Sequence, residues 1–266
     1  MSGDNRIMWE RELEVAKLAA VKAGEAILEI YNSTDFGIEY KKDDSPLTIA
    51  DKASNAIIVK MLREHFPKHA ILSEEEKDNS SRLENDLCFV VDPLDGTKEF
   101  IKRNGQFTVN IALSYKHVSV MGVIYVPVTG ELYYASQGDG AYLQSRACDV
   151  TPLQVSNNID IPNLRVVMSS SHGCPQMDEL LEKHHLTNFV KRGSSLKGCM
   201  IASGEADIYY RFNPTMEWDT AAMQCIVEEA GGIFRQMDGT PMYYNRENSL
   251  NDKGFYILNR GENLLI

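Results

Sequence analysis

Two aspartates lie three residues apart at the end of an apolar run, in the stretch VVDPLDGTKEF at residues 90–100. Asp-Pro and Asp-Gly are common turn dipeptides, so one interpretation is that Asp92 and Asp95 only help the chain to leave a strand. The other interpretation is a site for a hard cation, because adjacent carboxylates repel each other unless a metal accepts their oxygens. Further acidic ligands elsewhere in the chain would favour the metal site.

Two more acidic segments supply candidate ligands. Residues 73–76 read SEEE, and residues 217–222 read EWDTAA. Taken alone, the first is typical of a solvated charge run, and Asp219 before TAAM is typical of a helix N-cap. The presence of all three acidic segments in one chain, two of them at predicted strand ends, favours a shared metal site.

Several other catalytic motifs are missing from the sequence. The EF-hand spacing fails from Asp92, because Leu94, Gly96 and Arg103 stand where oxygen ligands are needed. There is no P-loop, no His-Glu-x-x-His and no Gly-x-Ser-x-Gly, and GDGAYL at 138–143 lacks a third dinucleotide-loop glycine and is predicted as a turn. Metal-assisted hydrolysis of a phosphate ester remains, in which two cations hold the phosphoryl group and activate a water.

The DPLDGT segment provides much of such a site. Asp92 would bridge two ions, Asp95 would bind the second, and the Leu94 carbonyl, exposed by the turn, would bind the first. The amides of Gly96 and Thr97 open the following segment and would receive phosphate oxygens.

Both helices and strands are predicted to position these residues. Apolar periodicity predicts amphipathic helices over residues 9–31 and 47–65, and apolar runs predict buried strands at AILSEEE and LCFVV. Alternation over residues 107–136 predicts an antiparallel meander with VTGE as a hairpin turn. A Pro- and Asn-rich connector at 149–164 then leads into alternating strands and helices, the last helix running from Thr220 to Ala230.

This order predicts a layered α/β fold in two halves. Residues 1–150 form the α+β half that carries most metal ligands, and residues 151–266 form an α/β half that completes the active site. The second half is predicted to pack on the first as a further α/β layer.

Composition limits the class of protein. The 266 residues are 43% hydrophobic and 24% charged, with a net charge of −11, which argues against a general nucleic-acid or anionic-membrane surface. Five widely spaced cysteines without Cys-x-x-Cys suggest neither disulfides nor zinc, and no signal sequence or transmembrane run stands out. We expect a cytoplasmic protein. Peripheral association with the inner membrane, and the choice between monomer and homodimer, stay open.

The motifs resemble those of the inositol monophosphatase superfamily, whose members are lithium-sensitive, Mg²⁺-dependent phosphomonoesterases. DPLDGT with an upstream acid pair and a downstream WDTAA carries the resemblance, and DSPLTIAD, LSEE, DPLDGTKEFIKRNGQFTVNIAL, GSSLK and PTMEWDTAA are similar to its 3′(2′),5′-bisphosphate nucleotidases. The resemblance implies an αβαβα sandwich, two or three Mg²⁺ ions, and conversion of 3′-phosphoadenosine 5′-phosphate to AMP and phosphate. Alternatives are an inositol-phosphate or sugar-phosphate phosphatase on the same fold, and a non-catalytic nucleotide-binding protein. GTKEF in place of GTTNF favours the nucleotide.

The resemblance also implies roles for individual residues. Asp51 would pair with Thr97, whose hydroxyl orients the attacking water, although Asp51 alone could be an exposed helix acid. Glu75 would support the residues that bind the metals and help to hold a third, weaker ion. The implied sets are Asp51, Thr97 and Glu74 for catalysis; Glu74, Asp92, Leu94, Asp95 and Asp219 for metals; and Glu74, Leu94, Asp95, Gly96, Thr97, Ser194, Ser195, Lys197, Arg211 and Asp219 for the substrate.

Adenosine and its 5′-phosphate need groups outside the metal site. By resemblance these are GSSLK, with Ser194, Ser195 and Lys197, together with Arg211. An N-capped helix with a surface lysine is the alternative interpretation of GSSLK. A second source of positive charge beside the metal segment would be Lys98, Lys102 and Arg103.

Overall fold

The computed structural model describes residues 8–33, 36–40, 46–170 and 173–266. Two long helices, α1 (Glu10–Tyr31) and α2 (Ile49–His65), confirm the first two predicted helices. Small residues line the buried face of α1, where a Cβ on Gly24 would lie 2.3 Å from the Tyr125 ring. Close approach of α1 to the sheet therefore depends on glycine at this position. Asp44 and Ser45 of the DSPLTIAD motif lie outside the described residues.

Two short strands, β1 (Glu39–Tyr40) and β2 (Pro46–Leu47), pair with each other. The large sheet has seven further strands, which are β3 (Ala70–Ser73), β4 (Leu87–Asp95), β5 (Thr108–Tyr115), β6 (Val118–Val126), β7 (Glu131–Ser136), β8 (Gly140–Gln144) and β9 (Val150–Pro152). They lie in the order β3-β4-β5-β6-β7-β8-β9. β3 is parallel to β4, and the remaining pairs are antiparallel, which confirms the predicted meander. A short helix, α3 (Thr97–Ile101), follows β4.

The second half of the chain contains β10 (Val166–Ser169), α4 (Pro175–Lys183), β11 (Phe189–Arg192), α5 (Leu196–Ala202), β12 (Ile208–Arg211), β13 (Thr215–Met216), α6 (Glu217–Glu229), β14 (Ile233–Gln236), β15 (Leu250–Asn251) and β16 (Phe255–Leu258). Five of these strands form a second sheet in the order β11-β10-β12-β16-β14. β13 and β15 form a separate pair beside the start of α6.

Three apolar clusters show how the layers stack. One lies between α1, α2 and the large sheet, a second lies between the other face of that sheet and α5, α6 and the five-stranded sheet, and a third includes α4. The layers therefore follow the order helix, sheet, helix, sheet, helix, which is the αβαβα sandwich that the resemblance implied. No helix within the described ranges is long and apolar enough to cross a membrane.

Three local predictions were wrong. The predicted connector contains β9, which extends the large sheet across residue 150, and β8 begins at Gly140 inside the predicted turn. The last helix begins at Glu217 rather than Thr220. For β8 and β9, strand pairing outweighs local turn propensity. At the start of α6, the Asp219 carboxylate accepts the Met216 amide and so stabilises the earlier helix start. The division at residue 150 stays a prediction.

Candidate active site

The end of β4 brings two carboxylates together. Asp92 pairs with Asn110 on β5 and Asp95 pairs with Thr108, so three steps along β4 correspond to two steps along β5. Side chains three apart on a regular strand face opposite sides of the sheet, whereas the extra residue of a bulge changes that alternation. The bulge at Pro93 and Leu94 thus lets Asp92 and Asp95 face one site.

Asp219 completes the cluster from the other half of the chain. It is the third residue of α6, and its Oδ2 accepts a hydrogen bond from the Met216 amide at 2.6 Å. One carboxylate oxygen from each of Asp92, Asp95 and Asp219 lies within 4.8 Å of the others. Asp219 is therefore the third helical residue and not the N-cap, which is Met216. Its carboxylate still lies at the helix start, where negative charge is favoured.

Burial makes this cluster costly to ionise. Asp92 is 1% exposed, and burial together with Glu74 and Asp95 raises its pKa well above the usual value. Burial, and next the neighbouring Asp95, raise the pKa of Asp219 to about 7. A cation would relieve both the repulsion and the desolvation. Because the donors are all carboxylate oxygens, the cluster fits a hard cation such as Mg²⁺.

Glu74 directly follows β3 and Leu94 lies in β4, two strands that pair in the large sheet. β3 runs parallel to β4 with Ser73 beside Val91, and the Glu74 amide donates to the Val91 carbonyl at 3.2 Å. Glu74 and Leu94 both line the same cavity as the three aspartates. The SEEE segment is therefore not merely a solvated charge run.

Asp51 is held in a fixed position at the start of α2. Its Oδ2 accepts hydrogen bonds from the Thr48 amide at 2.7 Å and the Thr48 hydroxyl at 2.6 Å, while the Thr97 hydroxyl lies 3.2 Å from its Oδ1. Asp51 is 3% exposed, which rules out an exposed helix acid. Burial, the largest influence, raises its pKa above the ordinary value.

A cavity of about 260 Å³ is lined by Thr97 and by Glu74, Asp92, Leu94, Asp95 and Asp219, whereas Asp51 is not among its lining residues. Gly96 has φ of +93°, and a Cβ there would lie 3.1 Å from the Gln106 carbonyl oxygen, so the turn into α3 favours glycine. Lys98 lines the cavity, whereas Lys102 and Arg103 do not. Arg103 instead donates to the Tyr31 carbonyl at 2.8 Å.

The same cavity is also lined by two cationic side chains, Lys197 and Arg211, which together with Ser194 form the cationic wall. Lys197 is 7% exposed, and its Nζ donates to the Ser194 carbonyl at 2.5 Å, so it is no surface lysine. Burial lowers the pKa of Lys197 to about 8. Arg211 Nε is buried and has no hydrogen-bond partner within the described part of the chain. Arg211 also lines an adjoining cavity of about 220 Å³, together with Ser169 and Tyr209.

Ser195 contacts the carboxylate cluster from the segment that also carries Ser194 and Lys197. Its amide and its hydroxyl donate to Asp95 Oδ2 at 2.7 and 2.8 Å. Ser194, the preceding residue, has φ of +45°, and its hydroxyl lies 3.4 Å from the hydroxyl of Thr108. GSSLK therefore contacts the carboxylate cluster as well as lining the cavity.

Sequence reasoning missed several polar residues at this site, among them Thr48 and Asn110. Thr48 caps α2 and fixes Asp51, and Asn110 Nδ2 lies 3.2 Å from Asp95 Oδ2. An Asn within the apolar strand TVNIAL was the available signal, because a buried amide in a sheet needs polar partners.

Comparison with known proteins gives a consistent result. The sequence model of the inositol monophosphatase family matches residues 8–261. The chain is 40% identical over 253 residues to the 3′(2′),5′-bisphosphate nucleotidase CysQ of Buchnera aphidicola, covering 94% of each, and 41% identical over 249 residues to CysQ of Salmonella typhimurium, covering 92% of this chain and 98% of that one. The crystal structure of CysQ from Bacteroides thetaiotaomicron superposes with a TM-score of 0.84 at 42% identity, covering 96% of this chain and all of the other.

Proposed function

The chain belongs to the inositol monophosphatase family, and from that premise we propose that it removes the 3′-phosphate of 3′-phosphoadenosine 5′-phosphate, yielding AMP and phosphate. The single observation that carries this proposal is the convergence of Asp92, Asp95 and Asp219, with oxygens within 4.8 Å, in a cavity that Lys197 and Arg211 also line. Relatives about 40% identical over most of their length are named 3′(2′),5′-bisphosphate nucleotidases. The chain is therefore a phosphoric monoester hydrolase.

Mg²⁺ is the cofactor of this family, and the acidic cluster fits it. We propose two ions, the first held by Glu74, Asp92 and the Leu94 carbonyl, and the second by Asp92, Asp95 and Asp219. A third, weaker ion would be held with the help of Glu75. When bound, the ions provide a Lewis acid for the phosphoryl group, lower the pKa of the attacking water and stabilise the leaving oxygen.

Thr97 and Asp51 would direct the water. Because Asp51 Oδ2 is engaged by Thr48, its Oδ1 remains as the acceptor for the Thr97 hydroxyl at 3.2 Å. Thr97 Oγ1 can then accept a proton from water as its own proton moves toward Asp51. The water oxygen bonds to phosphorus, the bond from phosphorus to the 3′-oxygen breaks, and the 3′-oxygen takes up a proton to become the ribose hydroxyl.

The cationic wall would bind the rest of the nucleotide. Lys197 and the unpartnered Nε of Arg211 are suited to a 5′-phosphate, because a guanidinium can bind phosphate oxygens in pairs. Ser194 would add a hydroxyl, and the Gly96 and Thr97 amides would receive oxygens of the 3′-phosphate. The adjoining cavity shares Ser169, Tyr209 and Arg211 with the first, so it offers space for adenosine.

A phosphate-release screen tests this function. We would compare 3′-phosphoadenosine 5′-phosphate, inositol 1-phosphate and fructose 1,6-bisphosphate, each with and without Mg²⁺. Fastest Mg²⁺-dependent release from the nucleotide is expected. Preference for either other substrate would indicate the sugar- or inositol-phosphate activity, and nucleotide binding without release would indicate a non-catalytic binding protein. Cytoplasmic location and oligomeric state stay predictions.

A further inference from the structure

One oxygen of Asp95 is fully engaged by the protein itself. Asp95 Oδ2 accepts the Ser195 amide at 2.7 Å, the Ser195 hydroxyl at 2.8 Å and the Asn110 side-chain amide at 3.2 Å. Within the described ranges, Asp95 Oδ1 accepts no hydrogen bond. The Thr108 hydroxyl lies 3.5 Å from the same oxygen, so four donors surround Oδ2 and Oδ1 is the oxygen left for a cation.

Asn110 connects these donors to one another. Its Nδ2 also lies 2.9 Å from Ser195 Oγ, and its Oδ1 accepts the Thr108 hydroxyl at 2.9 Å. Asn110, Thr108 and Ser195 are all at most 2% exposed, so solvent offers no replacement partner if one donor is lost. Asn110 stands opposite Asp92 in the β-ladder, at the position where the bulge of β4 begins.

We propose that Asn110 and Ser195 are positioning residues, which lock the Asp95 carboxylate with Oδ2 bound to the protein and Oδ1 directed at the second Mg²⁺. The inference rests on the proposed function, because it requires Asp95 to bind a cation. Hydrogen bonds that orient a ligating carboxylate typically change metal affinity or activity by roughly 10–100-fold when they are removed.

The same contacts connect the cation site to the loop of the cationic wall. Ser195 follows Ser194, whose carbonyl receives the Lys197 ammonium at 2.5 Å, and the Gly193 amide donates to Gln106 Oε1 at 2.8 Å. A shift of this loop must therefore move a donor to Asp95. Asn110 contacts this loop through Ser195 Oγ, but its own backbone lies in β5, inside the large sheet.

Mg²⁺ binding to the substrate-free protein, measured by titration calorimetry, tests the inference. We expect Asn110→Ala and Ser195→Ala each to weaken binding at one site by about 10–100-fold. Ser195→Thr retains a hydroxyl and is expected to recover most of the affinity. Ser114→Ala is the matched control, because Ser114 lies on the same strand as Asn110 and its buried hydroxyl has no partner among the described residues.

The outcomes separate the two proposals. If the wild type binds no Mg²⁺, the proposed function fails. If the wild type binds Mg²⁺ and Ser195→Ala binds it equally well, the positioning role is overturned and the proposed function stands. A thermal melt identifies variants that do not fold, and if Asn110→Ala is one of them, Ser195→Ala and Ser195→Thr decide. Recovery of Ser195→Ala turnover at high Mg²⁺ concentration is also expected, whereas a general folding defect would not respond.

Discussion

The two walls of the cavity are built in different ways. The carboxylate wall, defined as Glu74, Asp92, Asp95 and Asp219, draws on the ends of β3, β4 and α6, so both halves of the chain fix it through backbone elements. The cationic wall, defined as Ser194, Lys197 and Arg211, comes from one loop, one short helix and one strand of the second half. This difference suggests that the reaction depends on the first wall and substrate selectivity on the second, so the two can be altered separately.

The largest effect is expected from the carboxylate wall. Asp92→Asn removes the proposed bridging ligand, so activity should fall by more than the roughly 100-fold typical of residues that only orient a ligand. Mg²⁺ affinity should fall as well, whichever substrate is used. Equal Mg²⁺ affinity in the wild type and Asp92→Asn, measured by calorimetry, would refute the bridging role.

A change beside the carboxylate wall should separate chemistry from metal binding. Thr97→Ala removes the hydroxyl that lies 3.2 Å from Asp51, so kcat should fall by about 10²–10⁴-fold. Mg²⁺ affinity should stay close to that of the wild type. Thr97→Ser, which retains the hydroxyl, serves as the control, and a loss of kcat in Thr97→Ser equal to that in Thr97→Ala would exclude the proposed role of the hydroxyl.

The cationic wall should affect only substrates that reach it. Arg211→Ala removes a charge-assisted bond worth about 1.5–3 kcal/mol, so kcat/KM for 3′-phosphoadenosine 5′-phosphate should fall by roughly 10–100-fold. Activity on inositol 1-phosphate, which has no 5′-phosphate, should scarcely change. Arg146→Ala, which alters an exposed arginine that donates to the Val128 carbonyl, is the matched control. Proportional loss of both activities would make Arg211 structural.

The smallest effect is a pH dependence of the carboxylate wall. Without Mg²⁺, the folded pKa of Asp219 is about 7 against an ordinary value of 3.8, and that of Asp92 is also raised. The stability that these protonated groups contribute is fully present below the unfolded pKa and is lost as pH rises through about 7. Mg²⁺ displaces the protons, so it should raise Tm more at pH 8 than at pH 6.

The expected pH difference in the Mg²⁺-induced Tm shift is on the order of 2–4 °C for about 1 kcal/mol. Thermal unfolding with and without Mg²⁺ at the two pH values measures it. Asp219→Asn should reduce the difference, because the amide does not titrate. An equal shift at both pH values in the wild type would contradict the raised pKa values.

The carboxylate wall could be predicted from sequence because its signals are local. DPLDGT places two carboxylates within one turn, and the apolar run before it predicts the strand that positions them. The αβαβα order was implied by the resemblance, whereas the periodicity of successive segments predicted two packed α/β layers. The bulge that turns Asp92 and Asp95 to one side could not be predicted, because it depends on the register between β4 and β5.

The contacts between distant segments were harder to predict from the sequence. Ser195 and Asp95 are a hundred positions apart, and only the packing of the two halves brings them into contact. Arg103 is close in sequence to the metal segment, but it does not line the cavity and instead donates to the Tyr31 carbonyl. Nearness along the chain was therefore a poor guide outside the turn itself.

Hydrolysis of 3′-phosphoadenosine 5′-phosphate, followed by phosphorus NMR with and without Mg²⁺, tests the central claim most directly. The account predicts that the 3′-phosphate resonance disappears only with Mg²⁺ present, while the 5′-phosphate is retained in the product AMP. Release of the 5′-phosphate first, or equally fast release after exhaustive chelation, would contradict it.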